Sequence, residues 1–309
     1  MRAEVGIEQL GCARSLGLVS ARDLAESAGL PAAELERMHQ GGIRSIPVAQ
    51  LPLPDLLREC LDDLAERGWD PSRCRLAVFA HSLVLRDDEM ACATAAIRSR
   101  CPSLDAAPLF LTGRPCSILH LALQVACAAL EEPAEGRSVL LLGGDVAPTA
   151  DDRFFFGSAM GDAMVGASLG RARTAGTVLA VANTAHVIAS EGTASPEADI
   201  GRFRLENPSA IRDVLELALR RASLGWSDLD HVVPHTPYTH IWDAMAVLCG
   251  LPRERFLDRY IERTGHLNSN DVLVHYRTAS EDGTIAPGQV VALVSPGFGG
   301  ARGCTVVRR

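Results

Sequence analysis

LPDLLRECLDDLAERGWDPSRCRLAVFAH, residues 53–81, holds a helix, a turn and a strand in one run. Residues 53–67 read as an amphipathic helix, Gly68-Trp69-Asp70 opens a polar turn, and RLAVFA (75–80) reads as a strand ending at His81. The same order returns later. A helix at 208–223 is followed by Gly225-Trp226-Ser227-Asp228 and by HVVPH (231–235), a strand ending at His235. Strand-like runs SVLLLGG (138–144) and QVVALVSPG (289–297) follow their respective Gly-Trp pairs at nearly the same offset, and TVLAVA (177–182) lies between. Further helices are expected at 116–131 and 238–249. Strands alternating with helices predict an α/β architecture, and the echo predicts a duplicated unit. Duplication has a chemical consequence: it brings the ends of equivalent strands and the starts of equivalent helices to a common axis, where groups from both halves converge.

Composition bounds the function. With 309 residues, 47% hydrophobic and 22% charged, the chain can bury one large core or two medium ones. The formal net charge is −8, all 30 basic residues are Arg, and no basic cluster occurs. A nucleic-acid partner is therefore not expected. No apolar run reaches the roughly 18 residues of a membrane span. MRAEVGIEQLGCARS lacks the continuous apolar segment of a secretory signal. The 9 Cys are scattered and no Cys-x-x-Cys pair exists, which argues against a disulfide framework or a zinc ribbon. No metal is expected, and a reducing cytoplasm fits.

One Cys stands apart. In TGRPCSILHLALQVACAAL (112–130), Cys116 follows a Gly and a Pro and precedes a long apolar helix. With Pro115 at the first helical position, Cys116 is expected in the first turn. The helix dipole there lowers a thiol pKa, and free N–H groups can hold an oxyanion. Cys127, deeper in that helix, reads as core. His235 lies at the end of a strand, where open α/β sheets place ligand chemistry. His266 lies in TGHLNSND (264–271), whose Asn268, Ser269, Asn270 and Asp271 are all turn or N-cap residues. Asn270 reads as a helix cap. The case for function is the set of one Cys and two His at turns, since a Cys/His pair is the minimum for thiol activation and proton shuttling. His81 and His120 read as structural. The loop GFGGARG (297–303) is not a phosphate loop. Gly299 and Gly300 would allow close backbone approach to a ligand, although a tight turn between two strands explains the same residues.

Taken together, the motifs resemble β-ketoacyl-acyl-carrier-protein synthase III (KAS III) and its relatives in the thiolase superfamily. GIRSIPVA (42–49), TGRPCSILHLAL, FFFGSAMGDAMVGASL (154–169), VVPHTPYTHIWDAMAVLCGLPRERF (232–256) and GFGGARG resemble five family motifs in the family's order. The resemblance implies a thiolase fold of five αβαβα layers, internally duplicated. An N-terminal half at 1–170 would carry the nucleophile and a C-terminal half at 171–309 the catalytic His residues. It implies Cys116 as the acylated nucleophile, His235 as a catalytic base, and the N–H groups of Cys116 and Gly300 as the oxyanion hole. Asn268 and Gly299 are expected beside the substrate. A homodimer is also implied.

Two departures shape the expected reaction. The family's Pro-His-Gln-Ala-Asn reads Pro-His-Thr-Pro-Tyr at 234–238, and the next motif's Gly-Asn reads Gly265-His266. With Asp271 and His275-Tyr276 downstream, this resembles an offshoot of the family in antibiotic biosynthesis that transfers acyl groups without condensation. Members using coenzyme A stack its adenine on a Trp and an Arg, where Glu36 and Gln40 stand here. That favours the phosphopantetheine arm of an acyl carrier protein over coenzyme A as donor, with Arg37, Arg44 and Arg153 as candidate contacts. The expected activity is acyl transfer through acyl-Cys116 to an alcohol, an amine or a second carrier, with His235, His266 and Asp271 as catalytic partners and no permanently bound cofactor. Decarboxylative carbon–carbon condensation by a ketosynthase, with Cys-His-His as its triad, is the alternative. A non-catalytic partner subunit is the third reading.

Overall fold

The computed structural model describes residues 5–130, 136–237 and 239–309. Tyr238, the last residue of the altered Pro-His motif, lies outside them, as does Glu131, the expected end of the nucleophile helix.

Five strands of the large sheet come from the first half of the chain: Val5–Cys12 (β1), Cys74–Ala80 (β2), Leu109–Leu111 (β3), Ser138–Asp145 (β4) and Ala163–Gly170 (β5). Their order is β3-β2-β4-β5-β1. Pairing is parallel for β3 with β2 and β2 with β4, and antiparallel for β4 with β5 and β5 with β1. Four more strands follow: Gly176–Ala185 (β6), His231–Pro234 (β7), Val290–Pro296 (β8) and Ala301–Arg308 (β9). Their order is β7-β8-β9-β6, with β7 parallel to β8 and the other two pairs antiparallel. The second set thus repeats strands two, four, five and one of the first, in the same order and senses, and lacks a counterpart of β3. The two sets join where Val5–Ile7 of β1 pair with Gly176–Val178 of β6.

The layers follow from which helix faces are apolar. Helices Ile118–Ala129 (α3) and Asp271–Glu281 (α6) share one core with inward residues of both strand sets, among them Val78, Val165, Val233 and Val291. Helices Leu53–Glu66 (α1) and Asp87–Arg100 (α2) cover the outer face of the first set, through Leu56, Leu57, Leu61 and Ile97 against Phe79 and Leu142. Helices Glu197–Arg221 (α4) and His240–Cys249 (α5) cover the outer face of the second, through Ile211, Leu215 and Trp242 against Val232 and Val294. The result is α-β-α-β-α. β4, covered on both faces, is buried at all 8 positions, which is why its middle, residues 139–142, is continuously apolar.

The expected helix at 208–223 begins earlier, at Glu197, with Pro208 inside it. The helix expected from residue 116 begins at Ile118 instead. α3 and α6 are equivalent helices, leading into the equivalent strands β4 and β8. Their N-terminal ends meet at the middle of the molecule.

Candidate active site

Cys116 is not in the first helical turn. Ser117 is the N-cap of α3, and Cys116 precedes it with φ 64°, a left-handed conformation rare outside glycine. Such backbone costs on the order of 1–3 kcal/mol and persists only where its surroundings enforce it. Here the turn Ser117 N–H to Arg114 O (3.1 Å) holds one side. The glycine loop holds the other: a Cβ on Gly297 would lie 1.9 Å from the Pro115 carbonyl oxygen. The loop turns β8 back into β9, as a tight strand-to-strand turn should.

The N-terminal end of α6 supplies the partners. His266 Nε2 lies 3.6 Å from Cys116 Sγ, and His266 Nδ1 lies 2.8 Å from Asp271 Oδ2. With the Nδ1 proton donated to that carboxylate, the lone pair of Nε2 faces the thiol. Asp271 is fully buried and also accepts the N–H groups of Leu267 on Oδ1 (2.7 Å) and Thr236 on Oδ2 (2.9 Å). Burial pushes its pKa up, but the imidazoles beside it, His266 first, outweigh that and hold the carboxyl well below the usual range. His235 comes from the end of β7. Its ring stands at 84° to that of His266, centroids 4.3 Å apart. Its Nδ1 is 3.1 Å from Asp271 Oδ2 but at an angle that makes no hydrogen bond. Burial, with His266 adding to it, pushes the His235 pKa down to about 4, so this imidazole is neutral at neutral pH.

The thiol departs from the sequence expectation. Burial pushes the Cys116 pKa up, and the carboxylates of Asp271 and Asp145 push it further. The expected lowering by the helix dipole does not dominate, because the residue sits ahead of the helix and two acidic groups lie near it. The resting site is therefore a thiol with the imidazole of His266 beside it.

Asp145, at the C-terminal end of β4, was not singled out by sequence, although a polar residue ending a strand is a general signal for a site. Its Oδ1 accepts Ser82 and Leu83 N–H (2.8 Å each), and its Oδ2 accepts Asn270 Nδ2 (3.0 Å). Asn270 is the N-cap residue of α6, yet its side chain makes no cap; it reaches Asp145 instead. Burial raises the Asp145 pKa to about 7 against those hydrogen bonds.

The other expected residues are placed as follows. Asn268 turns its amide to Met160 Sδ at 2.8 Å and does not line the cavity. Gly299 and Gly300 do not line it either. The two expected oxyanion donors are lightly engaged: Cys116 N–H with Ser82 Oγ at 3.4 Å, Gly300 N–H with Gly297 O at 3.3 Å. His120 is buried between Thr305 Oγ1 (2.8 Å) and Ser295 Oγ (3.1 Å), so it packs locally, as expected, and does not touch the thiol. His81 bonds Leu83 O (2.7 Å). Arg153 is not a surface contact. It is buried in a two-point ion pair with Asp162, both N–O distances 2.8 Å.

Cys116, His235 and His266 open into a cavity of about 520 Å³. Phe155, Phe156, Phe203, Phe298 and Trp242 line it, with exposed Arg37 and Arg204. Phe298 stacks between Phe156 and Phe203, at 5.5 and 5.0 Å. Four separate segments build this aromatic wall, which no local sequence pattern announces. Gln40 also lines the cavity and bonds Glu36 Oε1 at 2.9 Å.

The family model for the C-terminal part of 3-oxoacyl-[acyl-carrier-protein] synthase III matches residues 219–309. The β-ketoacyl-[acyl-carrier-protein] synthase III of Erythrobacter litoralis is 32% identical over 125 residues, 38% of this chain and 39% of that protein. The chain thus spans about two fifths of the length of the curated relatives it matches. Likeness of fold covers nearly everything. The solved structure of the acyltransferase ChlB3 matches with a TM-score of 0.86 at 19% identity, over 99% of this chain and 97% of that one. The 3-oxoacyl-(acyl carrier protein) synthase III of Pseudomonas aeruginosa PAO1 matches with a TM-score of 0.79 at 21% identity, over 99% and 98%.

Proposed function

We propose, for a chain that is a KAS III-like protein of the thiolase fold, acyl transfer through a thioester on Cys116 without carbon–carbon bond formation. The observation that carries this reading is the line Cys116 Sγ, His266 Nε2, His266 Nδ1, Asp271 Oδ2, with separations of 3.6 and 2.8 Å at its two contacts. It is the nucleophile–base–orienting-acid arrangement of acyl transfer.

In the first half-reaction His266 takes the thiol proton as Sγ attacks the donor carbonyl. The N–H groups of Cys116 and Gly300 receive the oxyanion, exchanging their long contacts for it. The protonated imidazole returns the proton to the departing donor thiolate. In the second, an acceptor O–H or N–H gives its proton to His266 or to neutral His235 and attacks the acyl-Cys116 carbonyl. The Cys116 thiolate leaves and is reprotonated. Asp271 stabilises the imidazolium in both halves.

Condensation has a claim through the Cys-His-His set itself. Against it stands the placement of the amides: Asn268 faces Met160 and Asn270 faces Asp145, so neither is offered to a decarboxylating malonyl group. The donor in this proposal is an acyl carrier protein. Gln40 and Glu36 hold each other where an adenine stack would form, while Arg37 and Arg204 offer cations to a phosphopantetheine phosphate. Chain halves meeting between Gly170 and Gly176, a homodimer, a cytoplasmic setting and a role in secondary metabolism belong to the same proposal.

Intact-protein mass spectrometry with acyl-carrier-protein thioesters tests it, with Cys116→Ala as control. A mass gain lost in the variant and discharged by an acceptor, without carbon dioxide from malonyl carrier protein, is the expected result. Carbon dioxide release with a chain-extended product would establish condensation instead. No Cys116-dependent gain with any donor would overturn both and leave the partner-subunit reading.

A further inference from the structure

We infer that the resting site is also a three-ligand site for a divalent transition metal of borderline softness, with Zn²⁺ the best fit. One ligand atom each from Cys116, His235 and His266 lies within 4.8 Å of the other two. In a tetrahedral zinc site, Zn–S of about 2.3 Å and Zn–N of about 2.0–2.1 Å put the sulfur and a nitrogen about 3.6 Å apart. The observed Sγ–Nε2 separation is 3.6 Å, so that edge of the tetrahedron is already formed.

The surroundings are those of a metal-ligating histidine. His266 Nδ1 is committed to Asp271 Oδ2 at 2.8 Å, which leaves Nε2 as the lone-pair nitrogen facing sulfur. A carboxylate behind a ligating imidazole orients it and raises its basicity. His235 offers its ligand nitrogen within the same 4.8 Å, while its Nδ1 lies 3.1 Å from Asp271 Oδ2, so the one carboxylate stands behind both imidazoles. The fourth position opens into the 520 Å³ cavity and is available to water. Thiolate and imidazole select Zn²⁺ or Co²⁺ over Mg²⁺ and Ca²⁺, which prefer oxygen. No sequence spacing announces the cluster, because its residues lie on three segments brought together by the fold.

Capture of the metal converts the thiol to a metal-bound thiolate and releases one proton to solvent. It withdraws the nucleophile from any electrophile. Conversely, a thiol already carrying an acyl group can no longer provide this ligand. The inference does not depend on which acyl reaction the site performs.

The test is protection of Cys116 from iodoacetamide in the wild-type protein, mapped by peptide mass spectrometry, with exposed Cys92 as internal reference. Stoichiometric Zn²⁺ is expected to slow alkylation of Cys116 at least tenfold, leave Cys92 unchanged, and be reversed by a chelator; Mg²⁺ is expected to do nothing. Titration with Co²⁺ is expected to give a thiolate-to-cobalt charge-transfer band that Cys116→Ser abolishes. Asp271→Asn is expected to weaken Zn²⁺ binding about 10–100-fold. Equal protection of Cys92, no protection of Cys116, or a cobalt band that survives Cys116→Ser would each overturn the inference. All three readouts are independent of acyl transfer, so loss of activity in the proposed reaction cannot be mistaken for their failure.

Discussion

Replacing Asp271 with Asn is the sharpest perturbation of the site, because it keeps shape and removes one charge. The carboxylate receives three hydrogen bonds: Leu267 N–H on Oδ1 at 2.7 Å, and Thr236 N–H and His266 Nδ1 on Oδ2 at 2.9 and 2.8 Å. An Asn side chain has one acceptor oxygen. Its amide nitrogen must face either the Leu267 N–H or the Thr236 and His266 donors, so donor meets donor on one side. Losing a charge-assisted bond costs about 1.5–3 kcal/mol. At 1.36 kcal/mol per tenfold, that is a fall of roughly 10- to 150-fold in the acylation rate. If His266 then flips tautomer to donate from Nε2, the lone pair no longer faces Cys116. The loss then approaches the roughly 10⁴-fold seen when Asn replaces the Asp of a nucleophile–His–Asp triad. The assay is single-turnover acylation of Cys116 followed by intact mass, with thermal unfolding run alongside. A variant that folds as the native chain and acylates at the native rate would sink the argument that Asp271 orients His266.

Three other perturbations follow from the packing. Gly300→Ala places a Cβ 1.7 Å from the His186 carbonyl oxygen at a φ of 76°; since the obstacle is backbone, it is expected to cost about 2–5 kcal/mol. Gly201→Ala, with nothing within 4 Å of its Cβ and a helical setting, is the control and is expected to leave thermal stability unchanged or raise it. Asp162 accepts Arg153 at 2.8 Å and the N–H groups of Ala49 and Ala147 at 2.7 and 2.8 Å. Asp162→Leu leaves the buried Arg153 unpaired and is expected to cost about 3–5 kcal/mol, read by urea unfolding. His120 is pushed down to about 3 by burial, with His235 contributing. Its folded pKa lies below its unfolded value near 6.5, so between those pH values the unfolded chain binds the extra proton. Stability then falls as pH falls through this window, by about 1.4 kcal/mol per pH unit from this residue alone. Urea unfolding at a series of pH values is expected to show a shallower slope in His120→Gln; an unchanged slope would refute the assignment.

Much of the fold was legible because burial on both faces leaves a plain mark. All five strands expected from apolar runs are present within a few residues. The missed strands carry misleading letters. β1 contains Glu8, yet Glu8 is only 5% exposed, since Arg73 (3.1 Å) and Ser168 (3.0 Å) partner it inside the sheet. β1 and β5 also contain glycines that read as turns. Gly11 and Gly166 are instead places where α1 lies on the sheet: a Cβ on either would come within 3 Å of Leu64. The site was legible as a list of residues and not as an electrostatic environment. Cys116, His235, His266 and Asp271 each carried a local signal. The rise of the thiol pKa did not, because it depends on burial and on Asp145 and Asp271, which only the folded chain sets beside the sulfur. Asn270 shows the same limit: its position is that of a cap, and its bond is to a residue 125 positions away.

The duplication explains why the two halves could divide the chemistry. α3 and α6 are equivalent, each preceded by a tight turn at the centre of the molecule. In the first half that turn holds Cys116 at φ 64°; in the second it holds His266 and Asn268, the latter at φ 55°. Symmetry therefore supplies two facing turns of one kind, and in the proposed reaction Cys116 on the first is the nucleophile and His266 on the second its base. The α6 side also carries the acid, as Asp271 opens that helix. The equivalent position on the α3 side is the apolar Ile118, fully buried. A carboxylate there as well would add a third buried acid to Asp271 and Asp145 around the thiol and push its pKa higher still. In the proposed reaction this asymmetry spares the thiol a further rise and favours passage of its proton to His266.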